Sequence, residues 1–254
     1  MGEKMRLDRL VASQRADISR ADVKKLCLKK KITVNGKLMA RSDAKVDTDD
    51  EIYVDGARLV YKKHIYIMLN KPAGVVCSTK EGDSRTVLDL VPAELMRDGL
   101  FPAGRLDKDT EGFVLLTDDG ELSHRMLSPK THVPKTYFVR LEKPWEESYK
   151  EVMAEGMVID GARAGDGEEK CLPAEFEGSD ENDCECTLVL HEGKFHQVKR
   201  MFEKVGNKVV YLKRVAIGEM ALDRDLALGE CLEILHKDVE KLLALKTPDW
   251  QNLD

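Results

Sequence analysis

Residues 104–117 read Gly-Arg-Leu-Asp-Lys-Asp-Thr-Glu-Gly-Phe-Val-Leu-Leu-Thr, a polar stretch that leads directly into apolar residues. The apolar run 113–116 predicts a buried strand, and a turn into a helix follows it at 117–120. A loop beside a buried strand holds its polar groups on a rigid edge, where catalytic residues are often found. Arg105 lies close enough in sequence to Asp107 to keep that carboxylate ionised when a substrate displaces water. Taken alone, the pattern also fits helix caps and surface ion pairs.

The length and composition indicate a globular protein with two domains. The chain has 254 residues, of which 42% are hydrophobic and 35% charged, and a domain size of about 150 residues favours two domains. No apolar run approaches the ~18 residues of a membrane span, and the N-terminus lacks an apolar signal core. We therefore expect a cytoplasmic protein without a membrane partner. The six cysteines lack the spacing of a metal site, which favours free thiols and predicts no metal.

The net charge of −6 conceals a basic N-terminus. Residues 1–45 hold 13 Lys and Arg against 5 Asp and Glu, whereas residues 142–186 hold 4 basic and 15 acidic residues. Such an asymmetry is typical of a chain that binds a polyanion with one end. The acidic stretch is expected to lie on a surface away from that polyanion.

The N-terminal sequence predicts two short helices followed by small strands. Ser19-Arg20-Ala21-Asp22 predicts a capping box before the second helix, and Asn35-Gly36 is a preferred sequence for a tight hairpin turn. Together with Arg6-Leu7-Asp8 and Val34-Asn35-Gly36, this pattern resembles the S4 RNA-binding domain. The resemblance implies RNA binding mainly through phosphate contacts, and the alternative is an ordinary solvated basic face. The expected RNA contacts are Arg6, Arg9, Arg20, Lys24, Lys25, Lys29, Lys30 and Lys31.

Two further segments belong to a second domain. Residues 134–141 alternate as a strand that carries Tyr137 on its buried face, where a tyrosine is normally a core residue. Val198, Met201, Phe202 and Val205 share one face of a predicted helix that ends before Gly206-Asn207, which places Lys199 and Arg200 in its early turns. Both the cations and the helix dipole would favour an ionised carboxylate placed there. The alternative for this helix is an ordinary basic solvent face.

Three other residues receive no catalytic role from the sequence. Lys71 follows a strand at 65–69 and precedes a proline, so the favoured interpretation is architectural. His191 and His196 are interpreted as structural or RNA-facing residues.

The segments occur in the order seen in bacterial pseudouridine synthases, and the chain resembles their RsuA-like group. The motifs that carry this resemblance are the S4-like start, Gly104-Arg105-Leu106-Asp107, Lys135-Thr136-Tyr137, residues 193–201 and residues 212–218. Such an enzyme breaks the glycosidic bond of a uridine, turns the uracil and rejoins it through carbon 5. The reaction is an isomerisation, so the resemblance implies no cofactor and no metal.

The resemblance also implies roles for four side chains. Asp107 is the essential carboxylate, which attacks the sugar, attacks uracil or removes a sugar proton, and Lys199 pairs with it. Arg105 helps to hold the target base out of its stack, and Tyr137 stacks on the flipped uracil. Base extrusion costs least in unpaired RNA, so the expected substrate is a loop, a bulge or an incompletely assembled particle. Further expected RNA contacts are Lys135, Lys194 and Arg200.

The expected fold class is α+β. Short alternating strands without regular strand–helix alternation argue for a largely antiparallel sheet. Residues 1–60 are expected to form a small S4-type domain of two helices plus short strands. Residues 61–243 are expected to form a pseudouridine-synthase domain with a central mixed, mostly antiparallel sheet flanked by helices, and residues 244–254 a tail.

The function expected from these features is site-specific isomerisation of a uridine to pseudouridine in small-subunit (16S) ribosomal RNA. The partner is that RNA or its assembly particle, and the protein is expected to be a monomer. The alternatives are a catalytically silent ribosome-associated RNA-binding protein and an enzyme for large-subunit ribosomal RNA. A carboxylate-based glycoside hydrolase, with Asp109 or Glu111 as its second carboxylate, ranks last because it gives the basic N-terminus no role.

Overall fold

The computed structural model of the protein describes residues 2–79, 84–128, 130–162 and 167–247. Contacts along the backbone divide the chain into two units, and the first consists of the residues up to Ile65 together with residues 91–100. This division differs from the sequence boundary at residue 60, because Arg97 donates hydrogen bonds to the carbonyls of Ser13 (3.0 Å) and Lys62 (2.7 Å). Residues 248–254 of the expected tail and residues 163–166 of the acidic stretch lie outside the described residues.

The first unit contains two helices and two small sheets. Its elements are β1 (Lys4–Arg6), α1 (Leu7–Gln14), α2 (Arg20–Leu28), β2 (Ile32–Val34), β3 (Lys37–Leu38), β4 (Lys45–Asp47), β5 (Ile52–Val54) and β6 (Ala57–Leu59). Strand β1 pairs with β4, and the other strands form a sheet in the order β3-β2-β5-β6. The helices bury Leu7, Leu10 and Val23 against Ile32 and Ile52 of the larger sheet, so that one apolar core joins the layers.

Local sequence signals fix the entry to α2 and the turn between β2 and β3. The Ser19 hydroxyl accepts the Asp22 N–H (3.2 Å), and the Asp22 carboxylate accepts the Ser19 N–H (3.3 Å), which confirms the predicted capping box. Asn35 and Gly36 have φ values of +50° and +74°. These left-handed conformations are those of a tight hairpin turn, so that prediction is also confirmed.

The second unit is built around a large sheet. Its elements are β7 (Tyr66–Lys71), β8 (Phe101–Ala103), β9 (Glu111–Thr117), α3 (Gly120–Leu127), β10 (Lys135–Leu141), α4 (Ser148–Glu155), β11 (Val158–Ile159), β12 (Glu169–Lys170), β13 (Glu175–Gly178), β14 (Glu185–Leu190), α5 (Gln197–Lys204), β15 (Val209–Ile217), β16 (Met220–Ala221) and β17 (Cys231–Glu233), with 3₁₀ turns at Val87–Leu90 and His236–Leu243. The run 113–116 is fully buried in β9, as its apolar sequence predicts.

The main sheet is mixed, with one parallel pair among its described neighbours. The strand order is β13-β14-β10-β15-β9-β7-β17, while β16 pairs with β15 and β8 with β9. Strands β9 and β15 run parallel, and the other pairs in this sheet are antiparallel. The expected α+β fold with a mixed, mostly antiparallel sheet is therefore confirmed.

The parallel contact requires a glycine at the start of β9. Gly112 lies opposite Arg214 and has a φ of +100°. A Cβ atom at position 112 would stand 2.2 Å from the Arg214 carbonyl oxygen, which is closer than any side chain allows. The glycine therefore lets β9 approach β15 and fixes where the preceding loop ends.

A buried carboxylate organises the basic face of the first unit. Asp8 is buried and forms ion pairs with Arg6 (2.8 Å) and Arg20 (3.1 Å). Burial alone would raise the pKa of Asp8, but the hydrogen bonds from the two guanidinium groups outweigh it, so the pKa lies below its ordinary value. The carboxylate therefore stabilises the folded state at neutral pH and holds both arginines in place.

We expect Asp8→Asn to lower the free energy of unfolding by about 1–3 kcal/mol at neutral pH, because two charge-assisted hydrogen bonds weaken at a buried position. Since the pKa of Asp8 is depressed in the folded state, its stabilisation is present above the unfolded-state value of about 3.9 and is lost as the pH falls through the lower folded value. Urea unfolding of the wild type and the variant, followed by circular dichroism over this pH range, measures the difference.

The matched control is Asp43→Asn. Asp43 pairs with Arg41 (2.9 Å) at the same two-residue spacing as Arg6 and Asp8, but its side chain is more exposed. This substitution should cost less than about 1 kcal/mol. Equal losses in the two variants would show that the burial of Asp8 is irrelevant to its effect.

Candidate active site

The loop between β8 and β9 carries the carboxylates of Asp107, which is partly exposed, and Asp109, which is exposed. Leu106 and Thr110 are buried, whereas the Asp107 side chain between them keeps 27% of its surface exposed. The Thr110 N–H donates to the Asp107 carbonyl (3.2 Å) and closes the turn. Leu106 and Thr110 are thus packed inside, and the carboxylate of Asp107 between them remains accessible.

A buried ammonium group supports this loop from below. Lys71 at the end of β7 is 0% exposed, and its Nζ donates to the carbonyls of Thr110 (2.7 Å), Pro72 (3.0 Å) and Lys108 (3.3 Å). The Lys108 carbonyl also accepts the Gly74 N–H (2.7 Å). Burial lowers the pKa of Lys71, and nearby acidic groups oppose that shift. The architectural interpretation of this lysine agrees with these contacts, which hold the backbone of the loop.

Two cationic or ionisable groups at the start of α5 face Asp107. The His196 Nε2 lies 3.5 Å from one carboxylate oxygen, and the Lys199 Nζ lies 3.6 Å from the other. His196 precedes the first residue of α5 and has a left-handed backbone (φ +49°, ψ +33°), which turns its ring toward the loop. A carboxylate flanked by these groups loses less stabilisation when a substrate excludes water.

The nearest carboxylate to Lys199 is a different one. Its Nζ lies 2.7 and 2.8 Å from the two oxygens of Asp109, against 3.6 Å from Asp107. The hydrogen bond from Lys199 lowers the pKa of Asp109 below its ordinary value. Lys199 is therefore shared between two carboxylates, and its direct partner is Asp109, whereas the family resemblance implied Asp107.

Tyr137 forms part of the same cleft from the central strand β10. Its ring is 9% exposed and lines the cleft with Asp107, Leu190 and Leu212. Arg105 lines the cleft as well. Its exposed guanidinium makes no hydrogen bond or ion pair with the described part of the chain, including Asp107. The cleft thus combines an aromatic face, a carboxylate and an available cation.

Three basic residues expected to contact RNA make internal contacts in the second unit. Lys135 is buried, and this burial, together with the charge of Arg214, lowers its pKa to about 8. Lys194 forms an ion pair with Glu192. Arg200 pairs with Glu169 and donates to backbone carbonyls on both sides of α5. These residues are therefore part of the framework around the cleft.

The basic residues expected to contact RNA in the first unit are all exposed. Four of them take part in ion pairs: Arg6 and Arg20 with Asp8, Lys25 with Asp22, and Lys31 with Asp55. The described residues provide no ion-pair partner for the other four, which are Arg9, Lys24, Lys29 and Lys30.

We expect Lys71→Met to destabilise the second unit by about 2 kcal/mol or more, because buried carbonyls lose their donor while the apolar stem is kept. Thermal unfolding of the purified protein measures the loss. The control is Lys108→Met in the same loop, where the exposed ammonium contacts only the Ser84 hydroxyl (3.3 Å) in the described residues. A melting temperature that falls equally in both variants would contradict the role given to Lys71.

Within the described ranges, no helix has the length and apolar character needed to cross a membrane. The same residues contain no group of three His, Cys, Asp or Glu side chains arranged to hold a metal ion.

Comparisons with known proteins agree with the geometry. The chain matches the RNA pseudouridylate synthase family over residues 65–204 and the S4 domain over residues 5–52. An uncharacterized RNA pseudouridine synthase of Bacillus subtilis, YtzG, is 43% identical over 239 residues, which cover 94% of this chain and 98% of the relative. Ribosomal small subunit pseudouridine synthase A of Haemophilus influenzae is 40% identical over 240 residues, which cover 94% and 100% of the two chains.

A solved crystal structure of a pseudouridylate synthase has 39% sequence identity and a TM-score of 0.64, and the match covers 94% of this chain and 99% of that one. The resemblance seen in the sequence motifs is confirmed by these matches. Because the family match takes in the Asp107 loop, Tyr137 and Lys199 and spans more than half of the chain, the protein belongs to the RNA pseudouridylate synthase family.

Proposed function

We propose that this enzyme converts one uridine of small-subunit ribosomal RNA to pseudouridine, with Asp107 as the essential carboxylate. The observation that carries the proposal is the cleft in which Asp107 lies beside Tyr137, Arg105 and the start of α5. The choice of RNA is supported by the relative from Haemophilus influenzae, which matches over its full length and is named for the ribosomal small subunit.

The reaction places specific demands on this cleft. The bond between N1 of uracil and C1′ of ribose must break, and a bond between C5 and C1′ must form. The proton on C5 leaves and N1 gains a proton, so the product has the composition of the substrate. The reaction therefore needs neither an oxidant nor a second substrate. The site must therefore hold a detached base, supply a carboxylate and move a proton.

Asp107 is suited to act on the ribose or on uracil because its carboxylate is exposed and has no direct ion pair shorter than 3.5 Å among the described residues. His196 and Lys199 are close enough to stabilise the negative charge after water leaves. Both stand back far enough to leave the oxygens accessible. The carboxylate oxygens are therefore accessible to a substrate.

Tyr137 and Arg105 complete the proposed binding of the flipped nucleotide. The Tyr137 ring lines the cleft, where it can stack on uracil, and its hydroxyl can assist proton transfer at C5. The Arg105 guanidinium, which has no ion-pair or hydrogen-bond partner among the described residues, can occupy the space left in the RNA and hold the base out of its stack. The exposed basic residues of the first unit supply phosphate contacts, which position RNA without reading its sequence.

The environments of Asp109 and Glu111 argue against the glycoside hydrolase alternative. Such an enzyme needs a general acid whose pKa is raised. Asp109 is held by Lys199, which lowers its pKa, and Glu111 accepts a hydrogen bond from the Tyr211 hydroxyl (2.7 Å). Asp109 therefore lacks the raised pKa of a general acid, and the Glu111 carboxylate is already bound by the Tyr211 hydroxyl.

We expect Asp107→Asn to lower the rate of pseudouridine formation on the order of 10⁴-fold or more, because the reaction loses its only proposed carboxylate. The measurement is pseudouridine mapping on small-subunit ribosomal RNA, as naked RNA and as an assembly particle. The wild type should create one new pseudouridine. The exposed variant Asp180→Asn is the control and should behave as the wild type. Equal product from wild type and Asp107→Asn would remove Asp107 from the mechanism.

We expect Asp109→Asn to lower kcat by about 10- to 100-fold with little change in KM, because Lys199 then moves onto Asp107 and covers the carboxylate. Asp109→Glu should restore most of the activity, since it keeps a carboxylate for Lys199. Because the pKa of Asp109 is below its ordinary value of about 4, the wild-type rate should show no titration of Asp109 near neutral pH. A change in KM with an unchanged kcat would contradict this positioning role. So would a failure of Asp109→Glu to restore the activity.

A further inference from the structure

An exposed aromatic ring lies at the rim of the cleft, immediately before α5. Phe195 keeps 59% of its surface exposed, and it is the one Phe, Tyr or Trp in the described residues that is exposed rather than buried or half-buried. The helix that follows buries its own apolar residues, Val198, Met201 and Phe202, without it. Phe195 therefore contributes little to the core, and packing does not account for an aromatic residue at this position.

The ring is held in a defined orientation by its neighbour. Phe195 stacks on the His196 imidazole with 3.8 Å between ring centroids and 17° between ring planes. Its carbonyl accepts a hydrogen bond from Arg200 (2.9 Å), whose guanidinium is anchored in turn by Glu169 (2.7 Å). One face of Phe195 is covered by His196, so its exposure is carried by the other face and the ring edge. A planar surface is thus presented to solvent with its backbone fixed.

The stacked pair of Phe195 and His196 lies beside Asp107, the candidate catalytic carboxylate. The His196 Nε2 is 3.5 Å from Asp107, and Phe195 stacks on a face of that imidazole. The ring separation of 3.8 Å is close to the ~3.4 Å rise between successive bases of a nucleic-acid strand. The pair therefore has nearly the spacing of two stacked bases.

We propose that the free face of Phe195 binds a nucleobase next to the target uridine in the RNA substrate. This inference rests on the proposed function, because it assumes that RNA occupies the cleft. Extrusion of the target uridine breaks the stacking of its neighbours, and a rigid aromatic face replaces that lost contact. Every base has a π-face, so such a platform accepts the neighbour without reading its sequence.

The proposed stacking surface on Phe195 is separate from the proposed uracil position beside Tyr137. Tyr137 is 9% exposed and lies within the cleft, whereas Phe195 is at the rim and is mostly exposed. A base on Phe195 stays outside the reacting centre during the whole reaction. Its contact therefore stabilises bound substrate and transition state equally, which predicts an effect on KM and not on kcat.

The test combines a binding probe with kinetics on the intact enzyme. The probe is an oligouridylate that carries one 2-aminopurine, whose fluorescence is quenched on stacking. Wild-type enzyme should quench it, and Phe195→Ala should abolish most of the quenching. On small-subunit ribosomal RNA, the same variant should raise KM by about 5- to 150-fold, with kcat within about threefold of wild type.

Matched variants distinguish stacking from general apolar contact. Phe195→Trp keeps a planar ring and should retain both quenching and KM, whereas Phe195→Leu keeps apolar volume and should behave as Phe195→Ala. Leu235→Ala removes another exposed apolar side chain of the same unit and should change neither. Unchanged quenching in Phe195→Ala, or full recovery with leucine, would overturn the proposal. Quenching by a wild type that forms no pseudouridine would instead refute the proposed function while leaving the stacking contact established.

Discussion

The position of the candidate catalytic carboxylate depends on the close approach of β9 to β15 at Gly112. The two strands can pair there because the residue opposite Arg214 has no side chain. Strand β15 also pairs with β10, so the loop before β9 comes to lie next to Tyr137. Helix α5 precedes β15 in the chain and brings His196 and Lys199 to the same loop. One backbone contact thus gathers groups from three separate segments, namely the loop before β9, strand β10 and the start of α5.

Among the described residues, no cationic side chain forms a short, direct ion pair with the Asp107 carboxylate. Lys199 forms its direct ion pair with Asp109 and stays 3.6 Å from the Asp107 carboxylate. A direct ion pair would stabilise the carboxylate more strongly but would also cover the oxygens that must reach the substrate. The other cations near α5, Lys194 and Arg200, are bound to acidic partners of their own. The framework is therefore rigid, and the carboxylate it surrounds is accessible.

Much of the fold could be predicted from the sequence where short-range chemistry decides it. The Ser19–Asp22 capping box, the Asn35-Gly36 turn and the buried run 113–116 each depend on residues within a few positions of one another. The grouping of Arg105, Asp107 and Tyr137 in one site was implied by the resemblance to pseudouridine synthases, and all three residues line the same cleft.

Contacts between distant segments could not be predicted in the same way. Lys71 holds the carbonyls of a loop almost forty positions away, and no local pattern marks a lysine for that environment. The preference of Lys199 for Asp109 depends on about an ångström of loop geometry. Lys135 was expected to contact RNA from the surface. It lies instead in the central strand β10, where the neighbouring strands bury it.

The most direct test of this account is to follow tritium in small-subunit ribosomal RNA labelled at C5 of uridine, incubated with the wild-type enzyme. Because C5 must lose its hydrogen when it bonds to C1′, the account predicts release of tritium from one uridine per RNA molecule, with uracil retained in the chain. Release of free uracil would show hydrolysis, and complete retention of tritium on both naked RNA and assembly particles would show that the cleft does not isomerise uridine in this RNA. Either result would contradict the central claim.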